Sequence, residues 1–223
     1  MMMVNGGCGA YNTNNAGNNR KITVSGEGIV YSAPNRATAT VGVRTENPNL
    51  QAAQTENAEN SASMLKSLQN LGIAKDDIKT ADFRIDPIYT YEEGKQLFQG
   101  YRVTHLYTVT IRNLAQAGLA IDTAVANGAN EVMNIQFSVA EPQALYNQAL
   151  SIAVIDSYNK AQTIARTLGF HTSISPLSIT EETQKGSPGP FLVASMDTSS
   201  AKGTPIEPGK LEIKATVTGT YIT

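Results

Sequence analysis

Residues of the types that carry out acid–base or nucleophilic chemistry are few in this sequence. It contains two histidines, His105 and His171, and one cysteine, Cys8. A catalytic site needs a nucleophile held against a base, a pair of carboxylates or a cluster of metal ligands. His105 shares the apolar face of a predicted strand with Val103 and Tyr107, whereas His171 follows a predicted helix end. We interpret His105 as a hydrogen-bonded core residue and His171 as a favourable charge at a helix C-terminus; the alternative is a general base or metal ligand.

Motifs that mark known catalytic or cofactor sites do not occur. The sequence has no nucleophile elbow, phosphate-binding loop or paired-cysteine motif. The segment Ser25-Gly26-Glu27-Gly28 lacks the spacing of a dinucleotide site and is interpreted as a strand kink or bulge. Asp76 and Asp77 could bind a cation, but adjacent carboxylates after a helix are more typical of a turn before a strand. We therefore predict no catalytic residue, no metal site and no cofactor, and interpret the protein as a non-enzyme.

Length and composition exclude several classes of protein. The chain has 223 residues, with 17 Lys and Arg against 19 Asp and Glu, so its net charge of −2 is not that of a basic nucleic-acid binder. A chain of this length forms one or two domains. A single cysteine excludes an intrachain disulfide, and no apolar run is long enough for a transmembrane helix.

The first twenty residues have the composition of a flexible leader, because Asn, Gly and Thr dominate and no apolar periodicity occurs. Cys8 follows Gly6-Gly7, as in the end of a bacterial lipoprotein signal, which makes Cys8 a lipidation candidate and a lipid there a candidate membrane tether. Only four apolar residues precede Asn5, fewer than such a signal needs. The segment is therefore either the end of a signal that starts further upstream or a leader with a chance cysteine.

The first half of the remaining chain predicts two strands, a helix and a long hairpin. Ile22 and Val24 begin the first strand, and alternating Ala and Val predict a second over 36–46. Asn47-Pro48 predicts an N-cap and a helix over 48–71, whose polar middle, with Asn57, Asn60 and Ser61, should prevent deep packing along its whole length. Strands are predicted over 77–91 and 97–112, with the hairpin tip at residues 92–95.

The tip of this hairpin is rich in aromatic residues. Four of the chain's fourteen lie near it: Tyr89, Tyr91, Phe98 and Tyr101. Tyrosine joins a large apolar area to a polar end and is common at protein interfaces. We regard these residues as a candidate assembly surface; the alternative is that their rings cover the sheet of their own subunit.

The second half repeats the order of the first. A short helix over 114–126 leads to a strand over 131–139, a helix over 142–168 with a small-residue stripe, and strands over 172–181 and 210–222. A long loop over 183–209 contains the apolar patch Pro190-Phe191-Leu192-Val193, which could dock on a neighbour. The order indicates two strand-helix-strand-strand repeats, about 36–113 and 129–223, in an α+β fold with antiparallel sheets and helices packed on one face.

Several turns and caps occur in an order that resembles a known family. They are Ile22-Thr-Val-Ser-Gly-Glu-Gly28 with Ala33-Pro34, Leu71-Gly72-Ile73 with Asp76-Asp77-Ile78-Lys79-Thr80, Gly100-Tyr101-Arg102, Asn127-Gly128-Ala129-Asn130, the helix end from Lys160-Ala161 to Leu168-Gly169, and Thr204-Pro205-Ile206-Glu207-Pro208-Gly209. Together they resemble the SIMPL-domain family, also called domain of unknown function 541, from about residue 21 to the C-terminus. That family includes bacterial periplasmic proteins linked to oxidative-stress defence and an immunogenic outer-membrane-associated antigen.

The resemblance implies export from the cytoplasm to the periplasm or cell surface and an α+β fold, with no established catalytic residues. At least one family member assembles into large homo-oligomeric rings, so the resemblance also implies self-assembly. Our first hypothesis is accordingly an exported, self-assembling protein with a role in cell-envelope or oxidative-stress protection, with no nucleic-acid partner and no identified small-molecule ligand. The second is a small-molecule or peptide binding module that uses the cleft between the repeats. The third is a hydrolase with an unrecognised site.

Overall fold

The structure, a computed structural model, describes residues 20–170, 173–182, 191–193, 206 and 208–223. Its strands are β1 (Lys21–Ser32), β2 (Arg36–Asn47), β3 (Ile78–Glu92), β4 (Lys95–Ile111), β5 (Glu131–Ser138), β6 (Ser175–Glu181), β7 (Phe191–Val193) and β8 (Lys210–Ile222). Its helices are α1 (Leu50–Asn70), α2 (Ala117–Ala126) and α3 (Pro142–Thr167), with 3-10 turns at Lys75–Asp77 and Leu114–Gln116. The predicted α+β class and its antiparallel sheets are confirmed.

The described residues form two compact units, which we treat separately. The larger contains 29–149, 191–193, 206 and 208–214, and the smaller contains 20–28, 150–170, 173–182 and 215–223. No helix in these ranges is long and apolar enough to cross a membrane.

A four-stranded sheet in the order β3-β4-β2-β5 organises the larger unit. The alternation of β2 buries every second side chain, beginning with Ala37, Ala39 and Val41, because successive strand residues point to opposite faces. Helices α1 and α2 pack together and each contacts β2. Met64 and Leu68 of α1 and a row of alanines on α2 join this core.

Two predictions about α1 are wrong. The helix begins two residues later than expected, because Asn49 and not Asn47 is the N-cap and accepts a hydrogen bond from the Ala52 amide at 3.1 Å. Its polar middle is buried: Asn57 and Ser61 are 2% and 3% exposed. The amide of Asn57 donates to the carbonyl oxygens of Val43 and Val103, at 3.0 and 3.1 Å. Because these bonds satisfy the polar group, the helix packs against the sheet at this point as well.

Strand pairing differs from the order along the chain. The second sheet has the order β1-β8-β6, and β7 also pairs with β8. Strand β5, which begins the second predicted repeat, pairs instead with β2. The duplication and its boundaries remain predictions. The interpretation of 183–209 as a loop is wrong at Phe191–Val193, whose backbone pairs with Lys210 to Glu212.

Within the smaller unit, α3 packs on β1 through very small side chains. Ala153, Ser157, Ala161 and Ala165 recur every four residues and are buried. A Cβ atom on Gly26 would lie 2.1 Å from the Ala153 carbonyl oxygen and 2.6 Å from Ser157 Cβ. Gly26 lies inside one continuous strand, so the glycine allows the helix to approach closely and needs no kink. The prediction that Leu168 lies on the packed face is wrong: it follows the last residue of α3, Thr167, and is 61% exposed.

Candidate functional site

Hairpin β3–β4 carries the residues predicted as an assembly surface. Its fourteen paired positions run from Ile78 opposite Val109 to Glu92 opposite Lys95. The two-residue turn consists of Glu93 and Gly94, both with positive φ (49° and 78°), as hairpin turns of this length require. Register shifts between Thr80 and Asp82 and between Ile88 and Tyr89 interrupt the uniform alternation expected for β3.

The four predicted aromatic residues lie close together, and we call them the aromatic surface: Tyr89, Tyr91, Phe98 and Tyr101. Phe98 contacts Tyr89 and Tyr101 edge to face, with ring centroids 5.8 and 5.2 Å apart. Tyr89 is 46% exposed, Phe98 49% and Tyr91 71%. Phe98 thus links Tyr89 and Tyr101 through ring contacts, and the rings of Tyr89, Tyr91 and Phe98 leave much of their area in water. Whether a second subunit covers them stays a prediction.

A groove opens at the other end of the hairpin, between α1 and the sheet. Its volume is about 450 Å³. Helix α1 lines it with Gln54, Asn57, Ala58, Ser61, Ala62 and Leu65, and the sheet lines it with Phe83, Val103, His105 and Tyr107. The small side chains of Ala58 and Ala62 leave the space open on the helix side. No side chain in this lining carries a formal charge.

His105 lies in this groove and is only partly buried. Its Nδ1 is 2.9 Å from the Tyr107 hydroxyl, and its ring packs edge to face on Phe83 at 4.9 Å. The predicted hydrogen bond is thus confirmed, but the residue lines an open groove instead of lying inside the core. Burial lowers the pKa of His105, and burial raises that of Tyr107, so both side chains are neutral at neutral pH.

The adjacent carboxylates that the sequence singled out do not line this groove. Asp77 accepts two hydrogen bonds from the Arg112 guanidinium, at 2.7 and 2.8 Å, and these lower its pKa. It lies in the 3-10 turn before β3, which confirms the interpretation of Asp76-Asp77 as a turn. Among the residues that the structure describes, no cluster of His, Cys, Asp and Glu could hold a metal ion. Cys8 and His171 lie outside the described residues.

Sequence reasoning missed Asn57 and Ser61 as lining residues. The signal was present in their spacing, since Ala53, Asn57, Ser61, Met64 and Leu68 recur every three or four residues and form one helix face. Their polarity obscures this pattern, because amide and hydroxyl side chains are mostly exposed in proteins. These polar groups can be buried on this face because Asn57 donates to carbonyl oxygens of β2 and β4, and Ser61 donates to the Asn57 side-chain oxygen.

Comparison with known proteins gives a consistent family and no established activity. A family model described as "SIMPL: Protein of unknown function (DUF541)" matches residues 22–221. The chain is 30% identical over 172 residues to "Uncharacterized protein YggE" of Escherichia coli, which covers 77% of this chain and 69% of that protein. It is also 30% identical over 154 residues to the "26 kDa periplasmic immunogenic protein" of Brucella melitensis, covering 67% of this chain and 62% of that protein.

Proposed function

We propose that this chain, which belongs to the SIMPL family of proteins of unknown function, is an exported protein. In the same proposal it acts by self-association. In this proposal the aromatic surface of hairpin β3–β4 contacts a second copy of the chain. The protein has no catalytic role, and its assembly protects the cell envelope. The observation that carries the proposal is the exposure of Tyr89, Tyr91 and Phe98 at one tip.

Exposed aromatic clusters of this kind are typical of interfaces. Aromatic rings bury a large area per residue and lose little conformational entropy on binding, so a few of them dominate the energy of many interfaces. The chain's low net charge of −2 adds only weak repulsion between copies.

Export is supported by a relative's name. The Brucella melitensis protein, 30% identical over 154 residues, is called periplasmic. We propose the same compartment for this chain, in the periplasm or at the cell surface, with a lipid on Cys8 as a candidate tether.

The family resemblance suggests a protective role in oxidative stress. The composition of this chain favours a mechanism other than direct consumption of oxidants. Cys and Met side chains can consume oxidants. The sequence offers one Cys and six Met in 223 residues, three of the Met at positions 1–3. So few side chains can consume only a small amount of oxidant. The proposed protection therefore depends on assembly and not on the scavenging of oxidants.

Replacing two exposed rings tests the proposed surface. The double variant Tyr89→Ser/Tyr91→Ser removes apolar area where copies would meet, so we expect light scattering to give a mass near the 23.8 kDa monomer while the unchanged protein has a multiple of it. The control is Tyr31→Ser, which removes another exposed ring, in β1. It should keep the parent mass. An unchanged mass for the folded double variant would exclude this surface.

A further inference from the structure

We propose that the groove between α1 and the sheet binds an uncharged, largely apolar molecule that carries a hydrogen-bond acceptor, such as a ring with a carbonyl oxygen. The site is separate from the aromatic surface at the hairpin tip. It rests on the shape of the groove, the absence of charge in its lining and the hydrogen bond between Tyr107 and His105.

The groove has the size and walls of a small-molecule site. A volume of about 450 Å³ lies within the range of roughly 300 to 1,000 Å³ that is usual for such sites. Phe83 is 53% exposed although it packs on the His105 ring, so one aromatic face remains open to a ligand. Across the groove, Ala58 and Ala62 present only methyl groups. A flat ring can therefore lie between the helix and Phe83.

The chemistry of the lining selects against charged ligands. Val103, Leu65, Phe83 and the two alanines make most of the wall apolar, and the polar members are amides, hydroxyls and the neutral imidazole. A charged ligand would lose water without gaining an ion pair, which costs more than apolar burial returns. An uncharged ligand meets no such cost.

One hydrogen bond indicates which group His105 offers. The Tyr107 hydroxyl lies 2.9 Å from Nδ1 of His105. A phenol O–H is a good donor and the free nitrogen of a neutral imidazole is a good acceptor, so we infer that Tyr107 donates to Nδ1. A neutral imidazole that accepts at Nδ1 carries its hydrogen on Nε2. His105 therefore offers one donor, and a ligand acceptor satisfies it.

The probe for the test is prodan, an uncharged naphthyl ketone whose fluorescence reports a less polar surrounding. We expect saturable binding of one prodan per chain in a fluorescence titration. Ala62→Phe places a ring in the groove and should weaken binding at least about tenfold, or about 1.4 kcal/mol. Ser63→Phe is the matched control, because Ser63 is an exposed neighbour outside the lining. Its affinity should equal that of the unchanged protein.

The donor is tested by His105→Phe, which keeps a ring beside Phe83 and removes the N–H group. Prodan should bind about fivefold more weakly, the size of one ordinary hydrogen bond. The same dimethylaminonaphthalene without its ketone should bind both proteins equally. The double variant Tyr89→Ser/Tyr91→Ser should bind prodan normally, which separates this site from the assembly surface.

Three results would overturn the proposal. The first is no saturable prodan binding by the unchanged protein. The second is equal binding by folded Ala62→Phe and Ser63→Phe, which would mean adsorption elsewhere on the surface. The third is an unchanged prodan affinity in His105→Phe, which would remove the acceptor from the definition of the ligand.

Discussion

At the residue scale, Asn57 joins three elements through one buried amide. Its Nδ2 group donates to the Val43 oxygen of β2 and to the Val103 oxygen of β4. These strands are neighbours in the sheet, so the bonds hold α1 at one position along both. Thr45 adds a third polar link from β2, because its hydroxyl donates to the Ala53 oxygen at 2.8 Å.

Replacing Asn57 by Ala should be strongly destabilising. The change leaves two buried carbonyl oxygens without the donor that satisfies them, so we expect the free energy of unfolding to fall by about 2 to 4 kcal/mol. Denaturant unfolding measures this directly. Asn60→Ala, three residues along the same helix and only half-buried, should change it by less than about 0.5 kcal/mol. Equal effects of the two variants would refute the structural role given to Asn57.

His105 should make the protein less stable in mild acid. Burial lowers its pKa in the folded state below the ordinary value of 6.5. The unfolded chain therefore takes up this proton first as the pH falls. Stability from the neutral imidazole is complete above about pH 6.5 and is lost as the pH falls through the lower, folded-state pKa.

The variant His105→Phe tests this link. Between about pH 7.5 and 5 its free energy of unfolding should fall less than that of the unchanged protein, because one titrating group is gone. Contributions of the other titrating groups are common to both proteins. Parallel pH profiles would show that His105 does not titrate differently in the folded and unfolded states.

Not every residue role could be predicted from the sequence. The hydrogen bond of His105 was predictable from its strand neighbours. The groove beside it was not, because Phe83, Ala58 and Ala62 come together only when hairpin β3–β4 and α1 pack. The burial of Asn57 depends in the same way on carbonyl oxygens 14 and 46 positions away in the chain.

At the element scale, the contact between α3 and β1 depends on the absence of side chains. Alanine and serine at every fourth position make a shallow stripe on α3, and Gly26 makes a matching gap in β1. Polar bonds fix the approach: Asp156 accepts from the Glu27 amide at 2.9 Å, and Lys160 donates to the Ser25 oxygen at 3.1 Å. Lys160 and the Glu27 amide also lower the pKa of Asp156.

The variant Gly26→Ala should separate this helix from its strand. The new methyl group would overlap the Ala153 carbonyl, which is backbone and cannot rotate away, so we expect a loss of about 2 to 3 kcal/mol in the free energy of unfolding. Ser25→Ala, at the exposed neighbouring position in β1, should be nearly neutral. A neutral Gly26→Ala would mean that α3 packs less closely than the structure shows.

Elements themselves were largely predictable, and their pairing was not. Alternation and capping residues located β2, β8 and α3 to within about two residues, since those signals are local. Pairing of β5 with β2, and of β1 with β8, joins residues far apart in sequence. Strand β7 has only three residues in a segment rich in Gly, Ser and Pro, so its pattern was too short to indicate a strand.

At the scale of the whole molecule, the family match extends over the same residues as the fold. The activity has to be established by experiment. The match over residues 22–221 covers both sheets and all three described helices. Composition excluded a basic nucleic-acid binder, but self-association depends on which side chains stay exposed after folding. Only the structure shows that Tyr89, Tyr91 and Phe98 do so together.

The solution mass of the unchanged protein tests the central proposal most directly. Size-exclusion chromatography with light scattering over a series of concentrations should give a mass that is a multiple of 23.8 kDa. The multiple should persist at micromolar concentrations if the aromatic surface forms a stable interface. A mass of one chain at every concentration would contradict self-association and leave a monomeric binding protein as the better account.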